Sequence, residues 1–307
     1  MTVLRFHSLP DDPVAWRSAL GAALPGLVWR DDIDPGDPAE VEVALVWKPP
    51  PGFFAGMTRL RLVVNLGAGV DSLLGRSDLP TVPIARLNDS GMVRLMTSYV
   101  VFAVLRYARD IPAFEAAQRR GEWHYIHPRS LSAPRVGVLG LGELGGPAAA
   151  ALAGLGCTVQ GWSRTPKDIP GVQCHTGPMA PFLASTDILV VMLPLTDATR
   201  GLIGAAEIAC LPRGAALINV SRGAVVPEAP LLAALRDGHL SGATLDVFEQ
   251  EPLPPGHPFW TMESVLITPH LASITVPEDA AADVAESIRL TARGLPPLHQ
   301  VDPARGY

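Results

Sequence analysis

The run RVGVLGLGELGGPAAAA at residues 135–151 constrains this chain more than any other stretch. A short apolar segment breaks at Gly140, Gly142 and Gly145 and passes directly into an alanine-rich segment of helical composition. Strand, glycine turn and helix in that order open a nucleotide-binding doubly wound sheet. Gly140 permits the tight turn, Gly142 lets the backbone approach a pyrophosphate, and Gly145 allows close helix–strand packing. The helix N-terminus then offers free amides to an anion. A glycine turn that holds nothing is the alternative, and the flanking strand and helix favour the ligand-binding reading.

The rest of the chain repeats the pattern. From Arg135 the apolar runs RVGVLG, CTVQGW, DILVVMLP, ALINV, ATLDV and VLIT alternate with helix-like segments, as in a parallel sheet covered on both faces. Upstream, strands are expected at TVLRF, VEVALVW, LRLVVNLG and VPIARL, separated by turn clusters such as DDIDPGDP and KPPPG. One long helix is expected from about Ser90 to Gln118, carrying Tyr99, Phe102 and Leu105 along one face. A last helix, from Pro277 to about Arg293, is too little for a domain and is expected to return to the first series. The fold class is therefore α/β with two doubly wound parallel-sheet domains. A Rossmann-type dinucleotide-binding domain at 99–272 is inserted in a flavodoxin-like substrate domain made of 1–98 and 273–307. A length of 307 residues suits two cores better than one.

Composition narrows the partners. Hydrophobic residues make up 48% and charged residues 18%, enough apolar matter for two cores in a soluble protein. A net charge of -6, a pI near 5.7 and no basic run argue against nucleic acid. Cys157, Cys174 and Cys210 are odd in number and lack metal or CxxC spacing, so neither a disulfide framework nor a zinc site is expected. The N-terminal MTVLRFHSLP lacks the charged start and apolar core of a signal peptide. The apolar stretch YVVFAVLRYARD reaches Arg106 and Arg109 before it could cross a bilayer. A cytoplasmic protein with no membrane contact is expected.

Three stretches near the C-terminal end carry the chemistry: Arg222 in INVSRGAVV, Glu251 in LDVFEQEPLP and His270 in ITPHLAS. Each sets a charged or titratable side chain at the end of an apolar run, where doubly wound sheets place their clefts. A planar guanidinium can grip a carboxylate through two oxygens. An imidazole held against a carboxylate favours its protonated form and can give a proton to an alkoxide as it develops. Together with the dinucleotide turn, these parts suggest hydride transfer to a 2-oxo acid. Taken singly, Arg222 could cap a strand, His270 could be a satisfied histidine and Glu251 a solvated loop charge; their joint placement favours the site. Ser221 lacks the GxSxG setting of a nucleophile. His124, His127 and His257 have no such company and are expected at the surface or at an interface.

The cofactor's identity is read about 20 residues beyond the glycine turn, where an acidic residue would take the ribose hydroxyls of NAD(H). The sequence there is GWSRTPK. Ser163, Arg164 and Thr165 could hydrogen-bond a 2′-phosphate, with Lys167 as a further cation, so NADP(H) is preferred and NAD(H) is the second option. Arg164 and Lys167 could also be ordinary surface cations. Glu143, Leu144, Leu193, Pro194, Val220 and Ser221 complete the expected cofactor contacts.

The series LGAGVDS, GLGELG, SRGAVV, DVFEQEPLP and TPH resembles the D-isomer-specific 2-hydroxyacid dehydrogenase family over nearly the whole chain. ALVWKPP, the WSRT run and the terminal VDPARGY look like its glyoxylate/hydroxypyruvate reductase A branch. The resemblance implies Arg222 as substrate clamp, Glu251 as the histidine's partner and His270 as acid/base. It further implies that the amides of Ala68, Gly69 and Val70 meet the substrate carboxylate, that Asp246 sits by the nicotinamide carboxamide, and that Trp47 and Met92 shape a small pocket. It also makes the GEWHYIHPRSLSAP loop part of a homodimer, although Trp123 and Tyr125 could equally cover their own domain. Two departures, PEAP after Val226 and LASIT after His270, lie beside the motifs. The expected activity is NADPH-dependent reduction of glyoxylate and hydroxypyruvate. Alternatives are a dehydrogenase for a larger 2-oxo acid, a formate dehydrogenase, which Glu251 disfavours, and a non-enzymatic dinucleotide-sensing corepressor-like module.

Overall fold

A computed structural model of the protein describes residues 2–306; Met1 and Tyr307, which the expected domain bounds and the terminal VDPARGY run include, lie outside the described residues. The chain forms two compact units, one of residues up to Met92 together with those from Ile274 onward, the other of Val93–Ser273.

In the first unit, β1 (Val3–His7), α1 (Pro13–Ala23), β2 (Val28–Arg30), β3 (Val43–Val46), β4 (Leu62–Asn65) and β5 (Ile84–Arg86) build a five-stranded sheet of order β2-β1-β3-β4-β5. Every pairing is parallel, and the order is that of flavodoxin-like sheets. The runs VALV and LVVN are wholly buried because a parallel sheet is covered on both faces. β2 was not among the expected strands. It is three residues long and lies at the sheet's edge, too short to give a periodic signal.

The single helix expected from Ser90 to Gln118 is two, α2 (Ser90–Ala108) and α3 (Ile111–Arg119). Asp110 adopts φ 56 between them, and Pro112 stands in the first turn of α3. Proline has no N–H for the preceding turn and its ring crowds the carbonyl four residues back, so one continuous helix cannot pass through it. Of the face expected on α2, Tyr99 and Leu105 are half-buried while Phe102 is exposed.

The second unit continues with β6 (Arg135–Leu139), α4 (Gly145–Gly154), β7 (Thr158–Trp162), β8 (Val172–His175), α5 (Ala180–Ala184), β9 (Ile188–Val191), α6 (Ala205–Cys210), β10 (Ala215–Asn219), α7 (Glu228–Arg236), β11 (Leu240–Leu245) and β12 (Val265–Ile267). Its seven strands run β12-β11-β10-β9-β6-β7-β8, all parallel. Counted from β6, this is the Rossmann order with one strand added at the far edge. The added strand is β12, which the run VLIT had signalled; the short strand β8, at the opposite edge, is the one the sequence reading missed. Alternation along the strands feeds two cores. Leu189, Val191 and Leu217 join Phe182 and Phe259 on one face, while Ile188, Val190 and Ile218 join Ala148, Ala149 and Leu152 of α4 on the other. The small α4 side chains let that helix lie close to β6 and β7, which fixes its N-terminus at the glycine turn.

α8 (Pro277–Ala292) belongs to the first unit, where it packs on α1 and Arg289 donates to the Ala23 carbonyl at 2.7 Å. The segment beyond it returns to β5, with Val301 N–H donating to Ile84 O at 2.8 Å. No helix is long and apolar enough to cross a membrane, and no group of three or more histidine, cysteine or acidic side chains is placed to hold a metal, both among the described residues.

Candidate active site

The glycine turn follows β6. Gly140 adopts φ 107, and a Cβ there would lie 2.6 Å from the Met192 carbonyl oxygen. At Gly145, in the first turn of α4, a Cβ would lie 1.9 Å from Gly140 O, so no other residue fits. Gly142 is different: it is exposed and has open space where a Cβ would project. Glu143 is exposed and Leu144 half-buried beside it, and Leu193 and Pro194 follow β9. Val220 and Ser221, both nearly buried, follow β10. The carboxyl ends of β6, β9 and β10 thus carry these expected cofactor residues, and the turn fits the backbone approach of a pyrophosphate.

At the end of β7, Arg164, Thr165 and Lys167 are all exposed and no acidic side chain occupies the first positions after the strand. Ser163 is buried and its hydroxyl donates to the Thr165 carbonyl at 2.6 Å. That bond spends the serine proton on the shape of the loop and leaves Arg164 and Thr165 outermost.

Glu251 and His270 meet. His270 Nδ1 and Glu251 Oε2 are 2.8 Å apart, and Glu251 Oε1 accepts from Phe248 N–H at 3.1 Å, so both carboxylate oxygens are committed. His270 has φ 54, a left-handed conformation rare for a residue with a side chain. Asp246, 1% exposed, holds that turn. Its Oδ1 accepts from Thr268 Oγ1 at 2.6 Å and from Leu271 N–H at 2.9 Å, and its Oδ2 accepts from Ala272 N–H at 2.9 Å. His270 N–H itself donates to the Asp246 carbonyl at 2.8 Å. Tyr99 of α2 completes the network, its hydroxyl 2.6 Å from Thr268 Oγ1. Burial pushes that phenol up to about 12, so it stays protonated and can donate.

Arg222 leaves β10 in an extended conformation, with Nη1 donating to the Ser221 carbonyl at 2.7 Å. Asn219, 1% exposed, shapes this turn. Its Oδ1 accepts from Ser221 N–H at 3.1 Å and Ser221 Oγ at 2.7 Å, while Nδ2 donates to Arg222 O at 3.1 Å. Gly223 has no room for a side chain, since a Cβ would lie 1.9 Å from the carbonyl carbon of Phe248. The Arg222 turn is thereby seated directly on the loop that carries Asp246 and Glu251. Glu228, in the PEAP departure, ties α7 to the same loop: Glu249 N–H donates to Glu228 Oε1 at 3.0 Å, and Glu228 N–H donates back to Glu249 Oε1 at 2.9 Å.

Sequence reasoning singled out Arg222, Glu251 and His270 and missed residues that hold their loops: Asn219, Gly223, Tyr99 and Thr268. Asn219 and Gly223 flank Ser221 and Arg222, a signal available in the motif itself. The link from Tyr99 to Thr268 spans 169 positions and had none.

The remaining expected site residues lie in the first unit. Trp47 follows β3; Ala68 and Gly69, half-buried, and Val70, buried, follow β4. Met92, buried, is in the first turn of α2 with its N–H on Asp89 Oδ1 at 2.9 Å. Outside the site, His124 and His127 are exposed, whereas His257 is half-buried and paired with Glu228 at 3.2 Å. Trp123 is 99% exposed and Tyr125 74%.

Residues 101–272 match the family model described as D-isomer specific 2-hydroxyacid dehydrogenase, NAD binding domain. A glyoxylate/hydroxypyruvate reductase A of Yersinia enterocolitica is 40% identical over the full length of both chains. Among solved structures, a D-isomer specific 2-hydroxyacid dehydrogenase of Xanthobacter autotrophicus Py2 in complex with NADPH and MES is 58% identical, covers 100% of this chain and 99% of its own, and superposes with a TM-score of 0.95. An NADPH-dependent glyoxylate/hydroxypyruvate reductase of Sinorhizobium meliloti, in complex with NADP and sulfate, is 36% identical with a TM-score of 0.94 over the whole of both chains.

Proposed function

Within the D-isomer specific 2-hydroxyacid dehydrogenase family, to which this chain belongs, we propose that it catalyses NADPH-dependent reduction of glyoxylate to glycolate and of hydroxypyruvate to D-glycerate. The observation that carries the reading is the His270–Glu251 pair at 2.8 Å, on loops that follow strands of the same sheet as the glycine turn, beside the Arg222 loop. The relatives named for this reaction, and the neighbours solved with NADPH or NADP, support the substrate and the cofactor.

NADPH, when bound, supplies the hydride. Arg222 binds the anionic substrate, its guanidinium matching a carboxylate and the adjacent carbonyl oxygen, which fixes the reacting face. With Nδ1 on Glu251, His270 delivers a proton through Nε2 to the carbonyl oxygen as negative charge builds there. Glu251 orients the ring and balances its charge, and the Asp246 network holds the turn against its left-handed strain. Arg164, with Thr165 and Lys167, faces the 2′-phosphate that distinguishes NADP(H) from NAD(H). On the same reading Ala68, Gly69 and Val70 take the substrate carboxylate, Trp47 and Met92 line the pocket, and Asp246 lies near the nicotinamide carboxamide. The stretch 99–272 acts as the dinucleotide-binding domain and 1–98 with 273–307 as the substrate domain. The protein works in the cytoplasm as a homodimer in which the exposed Trp123 and Tyr125 are covered by the second copy.

The test is oxidation of NADPH and NADH by the purified protein with glyoxylate, hydroxypyruvate, pyruvate and phenylpyruvate in turn. Turnover with NADPH and the small acids is expected. Preference for phenylpyruvate would move the assignment to a larger 2-oxo acid, and silence with all four despite NADPH binding would overturn it.

A further inference from the structure

Asn65, the last residue of β4, is fully buried at the sheet's carboxyl end, and neither the motifs nor the proposed chemistry gives it a part. Its backbone is committed to the sheet and its surroundings, with Leu87 N–H donating to Asn65 O at 3.2 Å. Its side chain reaches forward over the following loop instead. Nδ2 donates to the Gly67 carbonyl at 2.7 Å and to the Gly69 carbonyl at 2.9 Å. Both partners are acceptors, so only the amide nitrogen can face them and the orientation of the group is fixed. Oδ1 is buried with no hydrogen-bond partner among the described residues.

An asparagine that merely closes a turn ordinarily accepts, through Oδ1, from a backbone N–H a residue or two ahead. Asn65 does the reverse, and the consequence follows from peptide geometry. In a planar trans peptide the C=O and the next residue's N–H point in opposite directions. Drawing the carbonyls of Gly67 and Gly69 toward Asn65 therefore turns the N–H groups of Ala68 and Val70 away from it. Among the described residues neither N–H donates to another backbone carbonyl. Two donors spaced two residues apart and aimed alike form an anion-binding concavity suited to the two oxygens of a carboxylate. The loop is braced on its other sides. Gly67 lies under the Trp47 ring, where a Cβ would sit 2.5 Å from the indole, and the Leu66 carbonyl accepts from Thr275 Oγ1.

We propose that Asn65 is a positioning residue that sets the Ala68 and Val70 amides to receive the carboxylate of the substrate, and so makes the enzyme select 2-oxo acids over neutral 2-oxo aldehydes. The inference rests on the reading that residues 68–70 meet that carboxylate. An apolar side chain of similar branching would avoid the unpaired Oδ1, yet it would release both carbonyls and let the peptides rotate.

The test compares wild type and Asn65→Leu with pyruvate and with methylglyoxal, which has the same size and carbonyl but no carboxylate. In the variant, KM for pyruvate and glyoxylate is expected to rise about 10-fold or more, as for the loss of a hydrogen bond to a charged group. KM for NADPH and the rate with methylglyoxal are expected to change less than about 3-fold, so that the preference for pyruvate collapses. A merely structural defect would lower both substrates and NADPH binding together, and that result, or an unchanged preference, overturns the inference. If Asn65→Leu does not fold, Asn65→Thr, which keeps one donor, is expected to fall between the two, and a wild-type preference in it overturns the proposal equally. Failure of wild type to reduce any 2-oxo acid would instead remove the functional reading beneath it.

Discussion

Gly142→Ala separates binding from folding at the glycine turn. Of the three motif glycines it alone has open space where a Cβ would project and no positive φ, whereas Gly140 sits at φ 107 and Gly145 has the Gly140 carbonyl oxygen 1.9 Å from its would-be Cβ. A methyl group at 142 therefore meets nothing in the protein itself, and the stability of the cofactor-free form should stay within about 0.5 kcal/mol of wild type. What the methyl occupies is the space through which a pyrophosphate would approach the backbone. Losing one amide-to-phosphate hydrogen bond costs about 1.5–3 kcal/mol. That corresponds to an NADPH Kd weaker by roughly 10- to 150-fold. The assay pairs thermal unfolding without cofactor with a direct titration of NADPH. Gly145→Ala is the control, expected to lower Tm before any cofactor is added, because the glycine turn must open to admit it. An unchanged Tm together with a Kd within about twofold of wild type would refute the argument that the turn cradles a pyrophosphate.

Arg164→Ala is expected to raise KM for NADPH about 10-fold or more while leaving NADH nearly unchanged, since the 2′-phosphate it would pair with is present in NADPH alone; equal effects on both cofactors would remove the basis of the NADP(H) assignment. His270→Ala should cost about 100-fold or more in turnover, in line with loss of a positioned general acid, and a near-normal variant would end the proton-donor role. Glu251→Gln removes the charge 2.8 Å from the imidazole but keeps a side chain of the same size, so kcat should fall while KM for NADPH stays near wild type; an unchanged kcat would leave Glu251 a structural residue. Arg222→Lys should impair both substrate KM and kcat, because an ammonium cannot reproduce the fork, and steady-state kinetics showing either parameter untouched would count against the clamp. Away from the site, the Arg135 guanidinium holds the Asp187 carboxyl below the usual range, through bonds of 2.9 and 2.7 Å. A depressed carboxyl stabilises the fold above its unfolded pKa of about 3.9 and ceases to do so as pH falls through the folded value. Asp187→Asn should therefore cost about 0.5–1 kcal/mol at pH 7, a partly exposed pair being screened, and nothing in strong acid; urea unfolding showing an equal loss at both would contradict it.

Much of the architecture was legible because parallel strands covered on both faces need long apolar runs, and runs such as LVVN and ILVV are conspicuous. The edge strands β2 and β8 were not, since three or four residues with half-exposed side chains carry no periodic signal. The break at Asp110 was hidden behind a helical pattern that continues on both sides of Pro112, although the proline itself was there to be read.

At the candidate site the sequence by itself determined what depends on neighbouring residues: the glycine turn, whose conformations follow from missing side chains, and the presence of Arg222, Glu251 and His270 at the ends of apolar runs. Only the tertiary structure decided which of these touch and what holds them. Glu251 reaches His270 because β11 and β12 end side by side, and Gly223 lets the β10 loop rest on the loop after β11. The Asp246 carboxylate fixes the turn around His270, with Tyr99 reaching it through Thr268 from a helix far back in the chain. The physical reason is range: backbone sterics and apolar period act between neighbours and are written locally, whereas a hydrogen bond between residues 169 positions apart exists only once packing has brought them within reach.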